Sequence, residues 1–319
     1  MKINIGIVGY GNLGKATEQL ILSKNEYNLV AIFSRRVVKS RFNTLIESYE
    51  NISLYKNKID IMLLCGGSFD DLEKQTSDAL VYFDSINTFD NHKKIPSEFE
   101  RLDKLAKTTG HRLIMSCGWD PGLFSIFRSL FFSLSHTKPV VFWGKGISMG
   151  HSDAVRKVRN VIDGIEFTIP NSKAQKLAKN NKLTGEEILH FRECFVVADK
   201  KYHKTISERI KNIPDYFKGQ PTTVEFVKSE ELLKLKSKMS HKGEIISHFK
   251  GLDGSKNQLT FKLKTTSNPT LTATILTSFI EALINLKNEK KFGAFTPLDI
   301  PISYLFKPEY HTKLLENLC

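Results

Sequence analysis

The residues able to do chemistry cluster where short apolar runs end. Gly9-Tyr10-Gly11-Asn12-Leu13-Gly14 directly follows the run Ile3 to Val8 and heads an amphipathic stretch. A Gly-x-Gly-x-x-Gly between a strand and a helix is built to cradle a pyrophosphate. Gly9 permits the tight turn, Gly11 lets the backbone approach the ligand, and Gly14 lets the helix pack on the strand. The helix start adds N–H groups and a partial positive charge. Twenty residues past Gly14 stand Ser34-Arg35-Arg36. An NAD site would place an acid there for the ribose hydroxyls; a hydroxyl and two guanidiniums suit a 2′-phosphate instead. The pattern therefore points to NADP, with a solvated basic turn as the alternative. Cys65-Gly66-Gly67-Ser68 ends a further run. It is expected to face the cofactor, because ligands gather at the carboxyl ends of parallel strands. An ordinary turn in which Ser68 or Asp70 caps the next helix explains it equally well.

Hydride transfer draws its hard chemistry from the nicotinamide, so the protein needs only groups that orient and handle protons. No His-Glu-x-x-His competes with that reading. Asp90 lies in Asn87-Thr88-Phe89-Asp90-Asn91-His92 and could meet a substrate amine, or simply close a turn. Asp120 lies in Ser116-Cys117-Gly118-Trp119-Asp120-Pro121-Gly122. Local sequence alone favours Asp120 as a helix cap with Pro121 at the first helical position. Trp119 reads equally as core. The glycine-punctuated segment Phe142 to Asp153 could hold a carboxylate on its N–H groups, or Ser152 or Asp153 could cap a helix there. Arg192, His241 and Asn268 are singly unremarkable polar residues. The four cysteines, Cys65, Cys117, Cys194 and Cys319, are far apart, with no Cys-x-x-Cys or Cys/His cluster. No metal and no disulfide framework is expected, and a reducing cytoplasm fits.

Positioning these loops requires strands. Ile3 to Val8, Leu29 to Phe33, Ile59 to Cys65, Leu80 to Phe83 and Leu113 to Ser116 read as strands, with helices at Leu13 to Ser23 and Glu98 to Thr108. Strict alternation of strand and helix with nearly all-apolar strands predicts an α/β chain with a Rossmann-type, doubly wound parallel sheet. A helix is expected to start at Asp120-Pro121, carrying Phe124, Phe127, Leu130 and Phe131. Beyond it, strands at Val140 to Trp143, Glu166 to Ile169, Cys194 to Ala198, Thr222 to Val227, Glu244 to Phe249 and Leu259 to Leu263 predict an α+β domain with a mixed or antiparallel sheet. A long amphipathic helix, Thr272 to Leu286, follows. The expected division is 1–118 with 269–319 for NADP binding, and 119–268 for the second domain. A chain of 319 residues, 40% hydrophobic and 25% charged, fits two soluble globular domains. The apolar run Leu271 to Leu286 reads as too short and too interrupted to cross a bilayer, and the first residues carry no signal-peptide stretch. The net charge of +13 is spread along the chain, and the densest patch, Lys228 to Lys242, carries Glu230 and Glu231 with Glu244 just beyond. A solvated face, not a nucleic-acid surface, is the expectation.

With the ordered segments VGYGNLGK, IFSRR, FDNH, GWDPGLFS, FWGKGISMGHSDA, CFVVAD, PDYF and GAFT, the chain resembles the meso-diaminopimelate dehydrogenase family from residue 8 to residue 296. The resemblance implies a homodimeric, cytoplasmic, NADP-dependent enzyme. It implies reversible oxidative deamination of the D-centre of meso-2,6-diaminopimelate to L-2-amino-6-oxopimelate, which cyclises to tetrahydrodipicolinate. Ammonia and NADPH are released, in the supply of lysine and cell-wall precursors. The cofactor would be lined by Tyr10, Asn12 and Leu13 with the glycines, by Ser34, Arg35 and Arg36, by Cys65, Gly66, Gly67 and Ser68, by Thr88, Phe89 and Asp90, and by Cys117, Gly118, Trp119, Asp120 and Pro121. Asp90 and Asp120 would receive the reacting ammonium, with Trp119, Trp143, Ser148, Met149 and Gly150 around it. Thr168, Arg192, His241 and Asn268 would hold the distal L-centre. Some family members carry Gln where Met149 stands here. The competing expectations are a dihydrodipicolinate reductase, a relaxed D-amino acid dehydrogenase, and a catalytically silent NADP-binding sensor.

Overall fold

The computed structural model describes residues 2–69, 71–237 and 239–316. Asp70, weighed above as a cap, and Cys319 lie outside the described residues. In chain order the first elements are β1 (Ile3–Val8), α1 (Asn12–Leu22), β2 (Tyr27–Ser34), β3 (Ile46–Ser48), β4 (Ile61–Leu64), α2 (Asp71–Leu80), β5 (Asp84–Asn87), α3 (Ile95–Thr109), β6 (Arg112–Ile114) and α4 (Leu123–Ser135). Then come β7 (Val140–Trp143), β8 (Gly146–Ile147), α5 (Met149–Arg156), β9 (Asp163–Pro170), α6 (Ser172–Lys179), β10 (His190–Val197), α7 (His203–Lys211), β11 (Thr222–Phe226), α8 (Ser229–Lys236), β12 (His241–Lys250) and β13 (Lys256–Thr265). The last are α9 (Asn268–Ser278), α10 (Ile280–Asn288), β14 (Gly293–Phe295) and α11 (His311–Glu316).

The chain forms two compact units, Met1–Ile126 with Pro269–Cys319, and Phe127–Asn268. The expected first boundary at residue 118 moves into α4. Its first turn belongs to unit 1, where Phe124 is fully buried and meets Trp119 edge-on at 5.1 Å. One turn later Phe127 stacks on Phe261 of β13 at 3.8 Å.

Unit 1 is the doubly wound parallel sheet that the alternation predicts, in the order β14-β6-β5-β4-β1-β2-β3. Strand order reverses between β1 and β4, the place where such sheets bind ligands. Alternate residues of each strand feed two cores. Ile5, Ile7, Ile61 and Leu63 pack with α1, α9 and α10, while Val8, Met62 and Leu64 pack with α2 and α3. The run Leu80 to Phe83 is not a strand. Leu80 ends α2, Phe83 is buried in the turn after it, and the strand is the polar Asp84–Asn87. Those polar groups are tolerated because they are bonded. Asp84 takes the Arg112 N–H at 2.9 Å and its guanidinium at 3.2 Å, and Asn87 Nδ2 donates to Thr76 at 3.0 Å.

The expected long helix is two, α9 and α10, meeting at Phe279. Together they span Asn268–Asn288, with a mean hydropathy of 1.3 over the most apolar window. By length and composition that is enough to cross a bilayer, which corrects the reading from interruptions alone. Burial decides its place here: 56% of the window is buried in the structure. Ala273, Leu276, Ile280, Leu283 and Leu286 belong to the unit 1 core.

Unit 2 has two sheets. The four-stranded sheet β11-β10-β9-β8 is mixed, with β10 parallel to β11 and antiparallel to β9. The three-stranded sheet β13-β12-β7 is antiparallel. The register of the first sheet aligns Arg192 with Thr168 and Thr168 with Gly146.

Candidate functional site

The glycine loop has the geometry that a pyrophosphate needs. Gly9 adopts φ +93°, and a Cβ there would lie 3.1 Å from the Cys65 backbone on the neighbouring strand. A Cβ on Gly14 would fall 2.1 Å from the Gly9 carbonyl oxygen, so only glycine lets α1 sit this close. A Cβ on Gly11 would meet nothing within 4 Å, so the space above this residue is open. Gly11 also begins α1 without a capping side chain, and the first turn holds no acid. An anionic dinucleotide fits this cradle.

Several residues of the expected cofactor set turn their side chains inward. Tyr10, Leu13, Phe89 and Cys117 are buried in the core or in internal hydrogen bonds, which leaves their main chain for a ligand. Asn12 is exposed and Thr88 half-buried. The Tyr10 hydroxyl donates to Glu18, a carboxylate with no exposed surface, and accepts from the Arg41 N–H at 3.0 Å. Ser40 donates to the other oxygen of Glu18 and accepts the N–H groups of Phe42 and Thr44. Glu18 thus ties the glycine loop to the segment that follows Ser34-Arg35-Arg36. No spacing rule marks a buried acid in mid-helix, so no local pattern singles it out.

Ser34 accepts the Arg36 N–H at 3.1 Å, folding a tight turn that leaves both guanidiniums exposed. Arg35 pairs with Asp71 at 2.7 Å, with 58% of its side chain exposed. One such bond leaves most of the five guanidinium donors for a phosphate. A cavity of about 500 Å³ opens beside Arg35, lined by Tyr49, Asp71, Gln75 and Tyr82 among others. Neither the glycine loop nor Asp90 or Asp120 lines it. Ser68 does not behave as a plain turn residue. It is buried and accepts the Asp90 N–H at 3.1 Å, joining the loop after β4 to the loop after β5.

Asp90 and Asp120 leave the ends of neighbouring strands, β5 and β6. Asn87 joins the two loops: its Oδ1 accepts the Phe89 N–H at 3.1 Å and the Ser116 N–H at 2.9 Å. Ser116 is held at φ +65°, a conformation rare for a side chain with a Cβ, which argues for a demanding local geometry. Helix α4 starts at Leu123. Asp120 and Pro121 therefore lie ahead of its first turn, and the reading of Pro121 as the first helical residue is corrected. Both carboxylates are half-buried. Trp119 is 8% exposed and packs on Phe124, so its side chain belongs to the core.

In unit 2, residues far apart in sequence come together. Arg192 Nη1 donates to the Thr168 hydroxyl and, at 3.2 Å, to Glu166. Next along the same row is Gly146, where a Cβ would lie 2.5 Å from the His241 ring. Asn268 Nδ2 donates to the carbonyl of Ile147, beside Gly146, at 3.0 Å. Thr168, Arg192, His241 and Asn268 are all at least nine-tenths buried. Burial pushes the His241 imidazole down to about 4, so the ring is neutral near pH 7. Its Nδ1 lies 2.8 Å from the Lys242 carbonyl, which makes Nδ1 the donor and Nε2 the acceptor. Ser148 caps α5 through the His151 N–H, so Met149 and Gly150 form a helix start next to this cluster. Trp143 is held by His190, which the sequence reading missed. Its N–H donates to His190 Nε2 at 2.8 Å, and the rings lie 4.8 Å apart. Burial takes His190 down to about 3, which keeps that nitrogen an acceptor.

The thiols in and near these loops are inert by position. Burial pushes Cys65 up to about 12 and raises Cys117 and Cys194 well beyond the ordinary thiol range. The thiolate is the reactive form. Iodoacetamide at mildly alkaline pH is therefore expected to leave Cys65, Cys117 and Cys194 unlabelled in the folded protein. Peptide mass spectrometry would check this, and rapid labelling of Cys65 would contradict its burial.

The family model described as the diaminopimelic acid dehydrogenase C-terminal domain matches residues 118–267. A meso-diaminopimelate D-dehydrogenase of Acetivibrio thermocellus is 41% identical over 320 residues, covering 95% of this chain and 94% of its own. The solved structure of the C. glutamicum DAP dehydrogenase in complex with DAP superposes with a TM-score of 0.91 at 33% identity, covering 99% of this chain and 98% of that one. An engineered D-amino acid dehydrogenase bound to NADP+ gives a TM-score of 0.93 at 32% identity, covering 99% of both chains.

Proposed function

This chain belongs to the meso-diaminopimelate D-dehydrogenase family, and from that premise we infer its reaction and assign its residues. It is an NADP-dependent oxidoreductase. It deaminates the D-centre of meso-2,6-diaminopimelate oxidatively and reversibly. Diaminopimelate, NADP⁺ and water give L-2-amino-6-oxopimelate, ammonium, NADPH and a proton. When bound, NADP⁺ supplies the hydride acceptor.

The residues supply orientation and proton handling. We assign the open space above Gly11 and the start of α1 to the pyrophosphate, and Ser34, Arg35 and Arg36 to the 2′-phosphate. Asp90 and Asp120 hold the reacting ammonium. Hydride leaves the α-carbon only after that nitrogen gives up a proton, and a carboxylate at its side can take it. Trp119, Trp143 and the Ser148, Met149 and Gly150 turn border this centre. Arg192 meets the distal carboxylate, while Thr168, His241 Nε2 and Asn268 face the distal ammonium.

The observation that carries the substrate assignment is the gathering of Thr168, Arg192, His241 and Asn268 in one buried place. One guanidinium beside neutral acceptors suits an amino-acid end, a cation and an anion on one carbon. We further place the enzyme in the cytoplasm, which its buried free cysteines favour. We take it to be a homodimer without membrane or nucleic-acid partners. Exposed Leu130, Phe132 and Leu134 on α4 favour a protein contact there.

The test offers NADP⁺ with separated meso-, LL- and DD-diaminopimelate and follows absorbance of the reduced nicotinamide, with NAD⁺ and D-alanine as controls. Turnover confined to the meso isomer and NADP⁺ is expected. Comparable turnover of D-alanine would mean a relaxed site around Met149, and silence on every isomer would turn the assignment toward an NADP-binding sensor.

A further inference from the structure

We propose that Glu166 determines distal-end specificity: acting through Arg192 and Thr168, it makes the pocket select an end carrying both ammonium and carboxylate over a bare carboxylate. The proposal rests on the reading that Arg192 meets the distal end of the substrate.

Glu166 lies on β9 two residues before Thr168, so the two share a face, and Arg192 stands opposite Thr168 on β10. Glu166 has no exposed surface. The Thr168 hydroxyl has one proton, and it goes to Glu166, at 3.0 and 3.2 Å from the two carboxylate oxygens. Its lone pairs are then what Thr168 offers elsewhere: one receives Arg192, and another can accept from an ammonium. Arg192 Nε is buried and has no hydrogen-bond partner among the described residues. A carboxylate would satisfy it.

Charge gives the selectivity. With Glu166 ionised, Arg192 and Glu166 together are neutral, which matches a zwitterionic end. A bare distal carboxylate brings a net negative charge into a buried site that already holds one carboxylate, and repulsion disfavours it. The other groups around Glu166 do not add charge. Cys194, opposite it on β10, is kept protonated by burial, and His190 of β10 and His241 of β12 are kept neutral. From α5, Ser152 takes the Glu166 N–H and Arg156 reaches the Gly164 carbonyl. From α8, Lys236 is paired with Asp163 at the far end of β9. Arg192 is therefore the charge that answers to Glu166. Burial pushes the Glu166 carboxyl up to about 7 against the pull of Arg192. Below that pH it is neutral, the Arg192 charge is uncompensated, and a bare carboxylate is accepted. Above it the discrimination is present.

The test compares KM for meso-diaminopimelate with the competitive inhibition constant of D-2-aminopimelate, which has the same chain length and no distal amine. Glu166→Gln is expected to improve the inhibitor relative to the substrate by about tenfold at pH 8, with kcat and the KM for NADP⁺ nearly unchanged. In the unaltered enzyme the same ratio should move the same way as pH falls through neutrality, and it should be flat in the variant. A ratio in Glu166→Gln within about twofold of the parent overturns the proposal. A ratio in the parent that does not change with pH overturns it even where the variant fails to fold. Arg192→Ala separates the two levels. If it leaves the KM for diaminopimelate unchanged, the distal-end reading itself fails. If it raises that KM and Glu166→Gln has no effect, only the role of Glu166 is lost.

Discussion

Replacing Asp120 with alanine is expected to lower turnover by about a thousandfold, the range for losing a positioned proton-handling group. NADP⁺ affinity should change by no more than about threefold, since the loss falls on a step after the cofactor is bound. The expectation follows from where the loop is anchored. Asn87 fixes Ser116, and the Gly118 N–H donates to the Pro121 carbonyl at 3.0 Å, so the turn survives loss of the side chain. Asp120→Asn refines the result, because a carboxamide can still accept an N–H but cannot take a proton at neutral pH. If it restores turnover, Asp120 holds the amine. If it stays near the alanine level, Asp120 moves the proton. Turnover unchanged in Asp120→Ala, measured with saturating NADP⁺ and diaminopimelate, would remove the residue from the reacting centre.

The double replacement Arg35→Ala with Arg36→Ala is expected to raise the KM for NADP⁺ by about a hundredfold and to change that for NAD⁺ far less. A hydrogen bond to a charged group is worth about 1.5–3 kcal/mol. Both guanidiniums are exposed, and Arg35 shares its charge with Asp71, so the lower figure applies to each. Two such contacts come to about 3 kcal/mol, close to two decades of affinity. The effect should shrink as salt is raised, as surface electrostatics do. Steady-state kinetics with both cofactors give the comparison, and an equal loss for each would take the arginine pair away from the 2′-phosphate.

What the chain disclosed in advance depended on how local the determinants were. The glycine loop was legible because three glycines, a strand before them and a helix after them lie within 20 residues. The structure gives Gly9 the positive φ and Gly14 the close helix approach that the spacing assigns, and it leaves the space above Gly11 open. Strand β5 was misplaced because apolar runs mark strands only when polar strand residues are scarce. Asp84 and Asn87 are buried and satisfied by partners at Arg112, Thr76 and Ser116 that no short window contains. The distal cluster shows the same limit. Arg192, His241 and Asn268 looked ordinary one at a time, and the family resemblance, not their spacing, grouped them. Glu18, Glu166 and His190 were invisible for a related reason. Each is a buried titratable residue whose role is set by what lies across a strand or a turn, and composition near it carries no mark of that.

The segmentation of unit 1 bears on how the polypeptide matures. Its first segment supplies six of the seven strands, but α9, α10 and β14 belong to the segment that begins at Pro269. Until the ribosome has added all of unit 2, the sheet face formed by Ile5, Ile7, Ile61 and Leu63 has α1 but lacks α9 and α10, the other two helices that cover it. At ordinary elongation rates that interval is on the order of ten seconds, long enough for a nascent apolar surface to need shielding. The glycine loop and the loops after β4, β5 and β6 are thus written well before α9 and α10, which complete the layer behind them.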